Sequence, residues 1–152
     1  MSAGEHKKAG YLAVHPFGKV PALVCADSTP VFESGAILGY LADKFGGLDT
    51  PEARAKQNSW LVWANATLAP AMFGPTRVQA MPGLVEPLNA LLSKQQWLTG
   101  SEFAVADVAV GAYLAYTQLF FPETSYKKYP AVDAYMSRIY SRPHYEATIG
   151  SE

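Results

Sequence analysis

Prolines at positions 16, 21 and 30 break the first third of the chain into pieces too short for a long helix, whereas from Thr50 onward apolar residues recur at helical spacing. That contrast predicts two parts, residues 1–48 and 49–152, and a fold between α+β and mostly α. In the first part, Tyr11, Leu12 and Val14 suggest a short helical or irregular segment before Pro16. The apolar run Ala22–Ala26 reads as a strand. Asp27-Ser28-Thr29 supplies turn residues, and Pro30–Glu33 reads as the returning strand. Ser34 then starts a helix carrying Ile37, Leu38, Leu41 and Phe45, which Gly46-Gly47 stops.

In the second part, Thr50-Pro51 pairs a hydroxyl cap with proline at the first helical position. Trp60, Leu61, Trp63, Ala64 and Leu68 form an apolar face up to Pro70, which kinks or ends that helix. Leu84, Leu88, Leu91 and Leu92 mark a second helix. Val108, Gly111, Ala112, Leu114 and Ala115 mark a third, apolar nearly all round. Pro130 opens a fourth with Val132, Tyr135, Met136 and Ile139, and Pro143 closes it.

Composition narrows the function classes. The 152 residues carry 12 Lys plus Arg against 13 Asp plus Glu, so the net charge is −1, and a nucleic-acid-binding footprint is not expected. One cysteine forms no internal disulfide, and no apolar run reaches the length of a membrane span. No targeting segment is visible, so the cytoplasm is the default compartment, with a plastid or another organelle as the alternative. Hydrophobic residues make up 49% and charged residues 16%, which favours a folded chain and hints at an interface with a partner.

Three local patterns stand out: His15-Pro16-Phe17-Gly18-Lys19-Val20-Pro21-Ala22-Leu23; Phe32-Glu33-Ser34-Gly35-Ala36-Ile37; and Trp97-Leu98-Thr99-Gly100 followed by Phe103-Ala104-Val105-Ala106-Asp107-Val108. Together they resemble the glutathione S-transferase family. The opening Gly4-Glu5-His6-Lys7 with Tyr11-Leu12-Ala13 is similar to the plant-type phi class. The second half also resembles the transferase-like domain of the gamma subunit of translation elongation factor one. The resemblance implies a partial thioredoxin-like unit (a β-hairpin plus helix) followed by the all-helical C-terminal domain of that family.

It further implies a cis Val20–Pro21 bond and a backbone at Val20 that pairs with the cysteinyl part of glutathione, as in strand addition. Ser34 would meet the γ-glutamyl carboxylate at a helix N-terminus, and Glu33 the ammonium. His6 and Lys7 would face the glycyl carboxylate, with Lys19 nearby. Glutathione, as substrate or ligand, is the one cofactor implied, and no metal is. Each feature alone also has a plainer reading: Val-Pro as loop geometry, Glu33-Ser34 as a helix cap, His6 and Lys7 as solvated charges, and Cys25 as a small buried hydrophobe. Tyr113, Tyr116 and Phe120 fit either a hydrophobic substrate pocket or core.

Departures from the family pattern shape the functional expectation. A family chain opens with a strand, a helix and a second strand carrying a catalytic Ser, Tyr or Cys. The first part of this chain corresponds to the region beyond that second strand, and no position matches the catalytic residue. Lowering a thiol pKa from about 8.5 needs a placed donor or positive charge, so weak or absent catalysis is expected. The strand over Ala22–Ala26 would present an open edge for a partner chain or dimer mate. The helix beginning at Val105 has Ala104 where a capping hydroxyl is usual, a loss of about 1 kcal/mol, and His15 stands where the family usually has Asn. Two functions fit: a non-catalytic or weakly active subunit of a larger assembly that keeps a partial glutathione site, and an active transferase conjugating glutathione to hydrophobic electrophiles.

Overall fold

The computed structural model describes residues 3–46 and 48–148 and divides into two compact units, Met1–Ala55 and Lys56–Glu152. In the first, a 3-10 turn over Glu5–Lys7 leads into α1 (Ala9–Leu12), β1 (Ala22–Val24), β2 (Pro30–Phe32) and α2 (Ser34–Phe45). The strands pair antiparallel with Ala22 opposite Phe32, Leu23 opposite Val31 and Val24 opposite Pro30. The first strand stops at Val24, short of the expected Ala26. Cys25 N–H still donates to Thr29 C=O at 2.9 Å, but Ser28 N–H turns back onto Cys25 C=O and begins the loop. Asp27 Oδ1 accepts Thr29 N–H at 3.0 Å in an Asx turn, and that bond holds its carboxyl below the usual range. Cys25 is half-buried, not buried as expected.

Helix α2 spans the segment expected from Ser34 to Phe45. Gly46 N–H closes it on Ala42 C=O at 2.7 Å; Gly47, the other half of the expected stop, lies outside the described residues. Helix α3 (Pro51–Trp63) opens as expected, with Thr50 Oγ1 accepting Ala53 N–H at 3.1 Å. Arg54 at its start donates to Asp43 at 3.0 Å and to Leu48 C=O at 2.6 Å.

In the second unit, Pro70 does not end the helix. The chain passes through a π turn (Ala64–Leu68) into α4 (Ala69–Phe73). Pro70 has no N–H for the i−4 carbonyl, and the wider turn before it accommodates that loss without breaking the rod. Helix α5 (Arg77–Leu92) begins seven residues before Leu84 and carries Pro82 and Pro87 inside it. Helices α6 (Val105–Phe120) and α7 (Pro130–Tyr140) form as expected. Pro143 opens a further turn, α8 (Pro143–Glu146), instead of merely closing α7.

Among the described residues, every buried hydrophobic side chain lies at Leu61 or beyond. Leu61, Leu68, Met72, Val85, Leu88, Val110, Leu114, Val132, Tyr135 and Met136 build that core. Helices α6 and α7 approach closely at Gly111, where a Cβ would lie 2.3 Å from Ile139 Cδ1. Asn89 Oδ1 on α5 caps α7 by accepting the N–H groups of Ala131 and Val132 at 2.9 and 3.3 Å. Among its described residues the first unit buries only His15 and Gly18, because two three-residue strands and the short helices beside them enclose little volume.

Candidate functional site

The antiparallel register brings the expected site residues to one end of the hairpin. Val20-Pro21 immediately precedes Ala22, and Glu33-Ser34 immediately follows its partner Phe32. The Val20–Pro21 peptide bond is cis. Val20 is 53% exposed, and among the described residues neither its N–H nor its C=O takes a hydrogen bond. Val20 thus offers an unpaired donor and acceptor just before β1, the kind of backbone groups with which an added peptide strand pairs.

Glu33 holds φ 70°, ψ 127°, a left-handed conformation that costs a residue with a Cβ about 1–3 kcal/mol. The kink turns the chain from β2 into α2 within one residue. It aims the first-turn N–H groups of α2, a twelve-residue helix, at the same end of the hairpin. Glu33 itself is exposed and Ser34 half-buried.

His6, Lys7 and Lys19 gather around the loop that leads to Val20. Gly18 is buried at φ 57°, and a Cβ there would lie 2.6 Å from the His6 carbonyl oxygen and 3.0 Å from Lys7 Nζ. Lys7 Nζ donates to the carbonyls of Gly18 at 2.9 Å and Phe17 at 3.2 Å, so the ammonium expected to meet a glycyl carboxylate already serves the loop. His6 is half-buried with Nδ1 enclosed and unpartnered. Lys19 is exposed. His15 is 1% exposed, stacked at 6.4 Å from Tyr11 and packed 4.8 Å from the Phe32 ring, which fixes the loop against β2. Tyr11, which the sequence marks only within the phi-like opening and with no role, joins the site through its hydroxyl, which donates to Lys19 C=O at 2.7 Å. That contact links residues eight apart through a four-residue helix, and no local pattern announces it.

In the helical unit, Tyr113, Tyr116 and Phe120 are neither simple core nor an enclosed pocket. Tyr113 is half-buried, with its hydroxyl donating to Asn65 Oδ1 at 2.7 Å. Phe120 is 63% exposed and joins Phe73 and Tyr116 at ring distances of 6.0 and 6.2 Å. A separate apolar groove of about 400 Å³ runs between Trp60 and Trp63 on one side and Leu84, Pro87 and Leu88 on the other. Among the described residues no group of three or more His, Cys, Asp or Glu could hold a metal ion, and no helix is long and apolar enough to cross a membrane.

Comparison with known proteins identifies the family. The family model for the glutathione S-transferase N-terminal domain matches residues 1–44, and that for the C-terminal domain matches residues 75–143. The chain is 31% identical to the disulfide-bond oxidoreductase YfcG of Escherichia coli, over 94% of this chain and 77% of that protein. It is 34% identical to the glutathione S-transferase GstB of Escherichia coli, over 73% of this chain, and spans 64% of that relative's length. Among solved structures, a possible glutathione S-transferase from Rhodopseudomonas palustris superposes with a TM-score of 0.78 at 26% identity, covering 94% of this chain and 76% of that one. The glutathione transferase URE2P6 of Phanerochaete chrysosporium, solved with oxidized glutathione, shares the fold with a TM-score of 0.82 at 24% identity, covering 99% of this chain and 80% of that one. The chain belongs to the glutathione S-transferase family. It is also shorter inside the matched span: the alignment with the oxidoreductase runs over 170 positions but covers 94% of 152 residues, about 143, so about 27 positions are filled by the relative alone.

Proposed function

We propose that this chain binds glutathione at the Val20–Ser34 end of its hairpin and acts as a non-catalytic or weakly active subunit of a larger assembly. The observation that carries the reading is the exposed, unpaired backbone of Val20 beside the N-terminus of α2. Val20 N–H and C=O pair with the cysteinyl residue. Ser34 and the α2 amides receive the γ-glutamyl carboxylate, and Glu33 its ammonium. His6 and Lys19 supply donors towards the glycyl carboxylate, Lys7 adds its positive charge while its ammonium holds the loop carbonyls, and Pro21 holds the entry to β1. These groups bind and orient; none is a donor placed to lower the thiol pKa.

The thioredoxin-like part in this reading is residues 1–48 and the helical part 49–152, and the compartment is the cytoplasm, with a plastid or another organelle as the alternative. The free edge of β1, from Ala22 to its end at Val24, takes a partner chain or a dimer mate. The second reading, an active transferase acting on hydrophobic electrophiles, is favoured by one feature, the aromatic group of half-buried Tyr116 with exposed Phe73 and Phe120. Calorimetric titration with glutathione, run beside an aryl-halide conjugation assay, separates them. Binding with no turnover supports the first reading, turnover supports the second, and no binding by a folded sample contradicts both.

A further inference from the structure

We infer that Tyr11 is a positioning residue for the glutathione site: its hydroxyl aims the Val20 N–H without touching the ligand. This rests on the proposed pairing of glutathione with Val20 and names the residue that prepares it. Tyr11 Oη donates to the carbonyl oxygen of Lys19 at 2.7 Å. That carbonyl and the Val20 N–H belong to one planar peptide unit, in which C=O and N–H point in opposite directions. Pinning the oxygen to α1 therefore fixes the direction of the donor on the other side.

The two preceding carbonyls are pinned as well, Gly18 and Phe17 by Lys7 Nζ at 2.9 and 3.2 Å. Gly18 at φ 57° leaves no space for a side chain between loop and helix. The tether is anchored at its far end, since the Tyr11 ring stacks on buried His15 and His15 packs on Phe32 of β2. Three successive carbonyls held by two side chains make a preorganised loop, and preorganisation raises affinity by removing an ordering cost from the binding step.

The test is Tyr11→Phe in the full chain, which keeps the ring and its stacking and deletes one hydroxyl. We expect the glutathione Kd to rise about five- to tenfold, the worth of one hydrogen bond, with the thermal midpoint nearly unchanged. We also expect the Val20 amide resonance of the ligand-free protein to shift and its hydrogen exchange to quicken. Unchanged affinity with an unchanged Val20 amide overturns the inference, as does a loss of thermal stability with no change at that amide. If the unsubstituted protein does not bind glutathione, the proposed function falls, and the ligand-free Val20 amide still decides the positioning role by the same criterion. If Tyr11→Phe does not fold, 3-fluorotyrosine at position 11 replaces it, keeping ring and hydroxyl while changing the donor: a shifted ligand-free Val20 amide supports the tether, and an unchanged one overturns it.

Discussion

Gln57 on α3 accepts the backbone N–H of Ala106 through Oε1 at 3.1 Å, and its Nε2 donates to Thr99 Oγ1 at 3.2 Å. Ala106 is the second residue of α6, so Gln57 satisfies an N–H that a Ser or Thr at position 104 would serve. The missing hydroxyl at Ala104 is therefore compensated from another helix, and the stability loss expected from that alanine is offset. Asp107 completes the cap by accepting Ala104 N–H through Oδ2 and Leu98 N–H through Oδ1, each at 2.9 Å.

A double-mutant cycle exposes this compensation. We expect Gln57→Ala to cost about 1–2 kcal/mol, Ala104→Ser to do little in the native background, and Ala104→Ser to recover part of the loss when Gln57 is absent. Urea unfolding of the four proteins checks it. Additive effects would show that Gln57 and position 104 act independently.

Much of the fold is legible in the sequence because its signals are local. Thr50-Pro51, Ser34 and Pro130 each mark a helix start within a few residues, and the structure has helices opening there. Helix α5 begins earlier than its leucines suggest because its first turns, residues 77–83, carry no buried apolar residue to mark them, and packing of Val85, Leu88 and Leu92 keeps the segment helical around Pro82 and Pro87. The continuation through Pro70 is hidden because a proline marks a kink or an end, and the π turn that absorbs it leaves no local pattern. At the site, the motifs mark Val20 and Glu33, but not the left-handed turn at Glu33, which a residue with a Cβ rarely adopts. Gln57 acts across the fold and Tyr11 across the loop that follows it, and composition or spacing carries no trace of such contacts.

Asp107 makes stability depend on acid. Burial raises its carboxyl above the usual value of 3.8, against the pull of the Leu98 and Ala104 amides. A raised folded value means that its contribution is full below the ordinary carboxyl value and is lost as pH rises through the folded one. Asp107→Asn does not titrate, so we expect its penalty to be largest in acid and to shrink towards neutrality. Urea midpoints of both proteins from about pH 3 to pH 7 measure this, and a penalty that is flat or grows with pH contradicts it.

The close approach at Gly111 limits what α6 tolerates. Alanine there gains helix propensity but meets Ile139 Cδ1 at 2.3 Å. We expect Gly111→Ala to destabilise by about 1 kcal/mol, and Ile139→Val, which removes that methyl, to restore part of it in the double variant. Thermal unfolding of the single and double variants shows the pairing, and an absence of recovery sets the cost elsewhere.

Glu33 should trade stability against binding. Glycine accepts φ 70° without a Cβ penalty, so Glu33→Gly should raise stability by about 1 kcal/mol. The same change removes the carboxylate assigned to the γ-glutamyl ammonium, so glutathione affinity should fall. Thermal melts and calorimetric titration read the two signs separately, and a variant that binds as well as the native chain removes Glu33 from the site.

The most direct measurement is a glutathione titration followed residue by residue in the amide NMR spectrum of the intact chain. We expect saturable shifts centred on Val20 and on Ser34 and Gly35 at the start of α2, with the helices around Tyr135 and Met136 unmoved. A folded spectrum in which Val20 and the α2 amides stay still as glutathione is added would contradict the assignment of this hairpin end as a glutathione site.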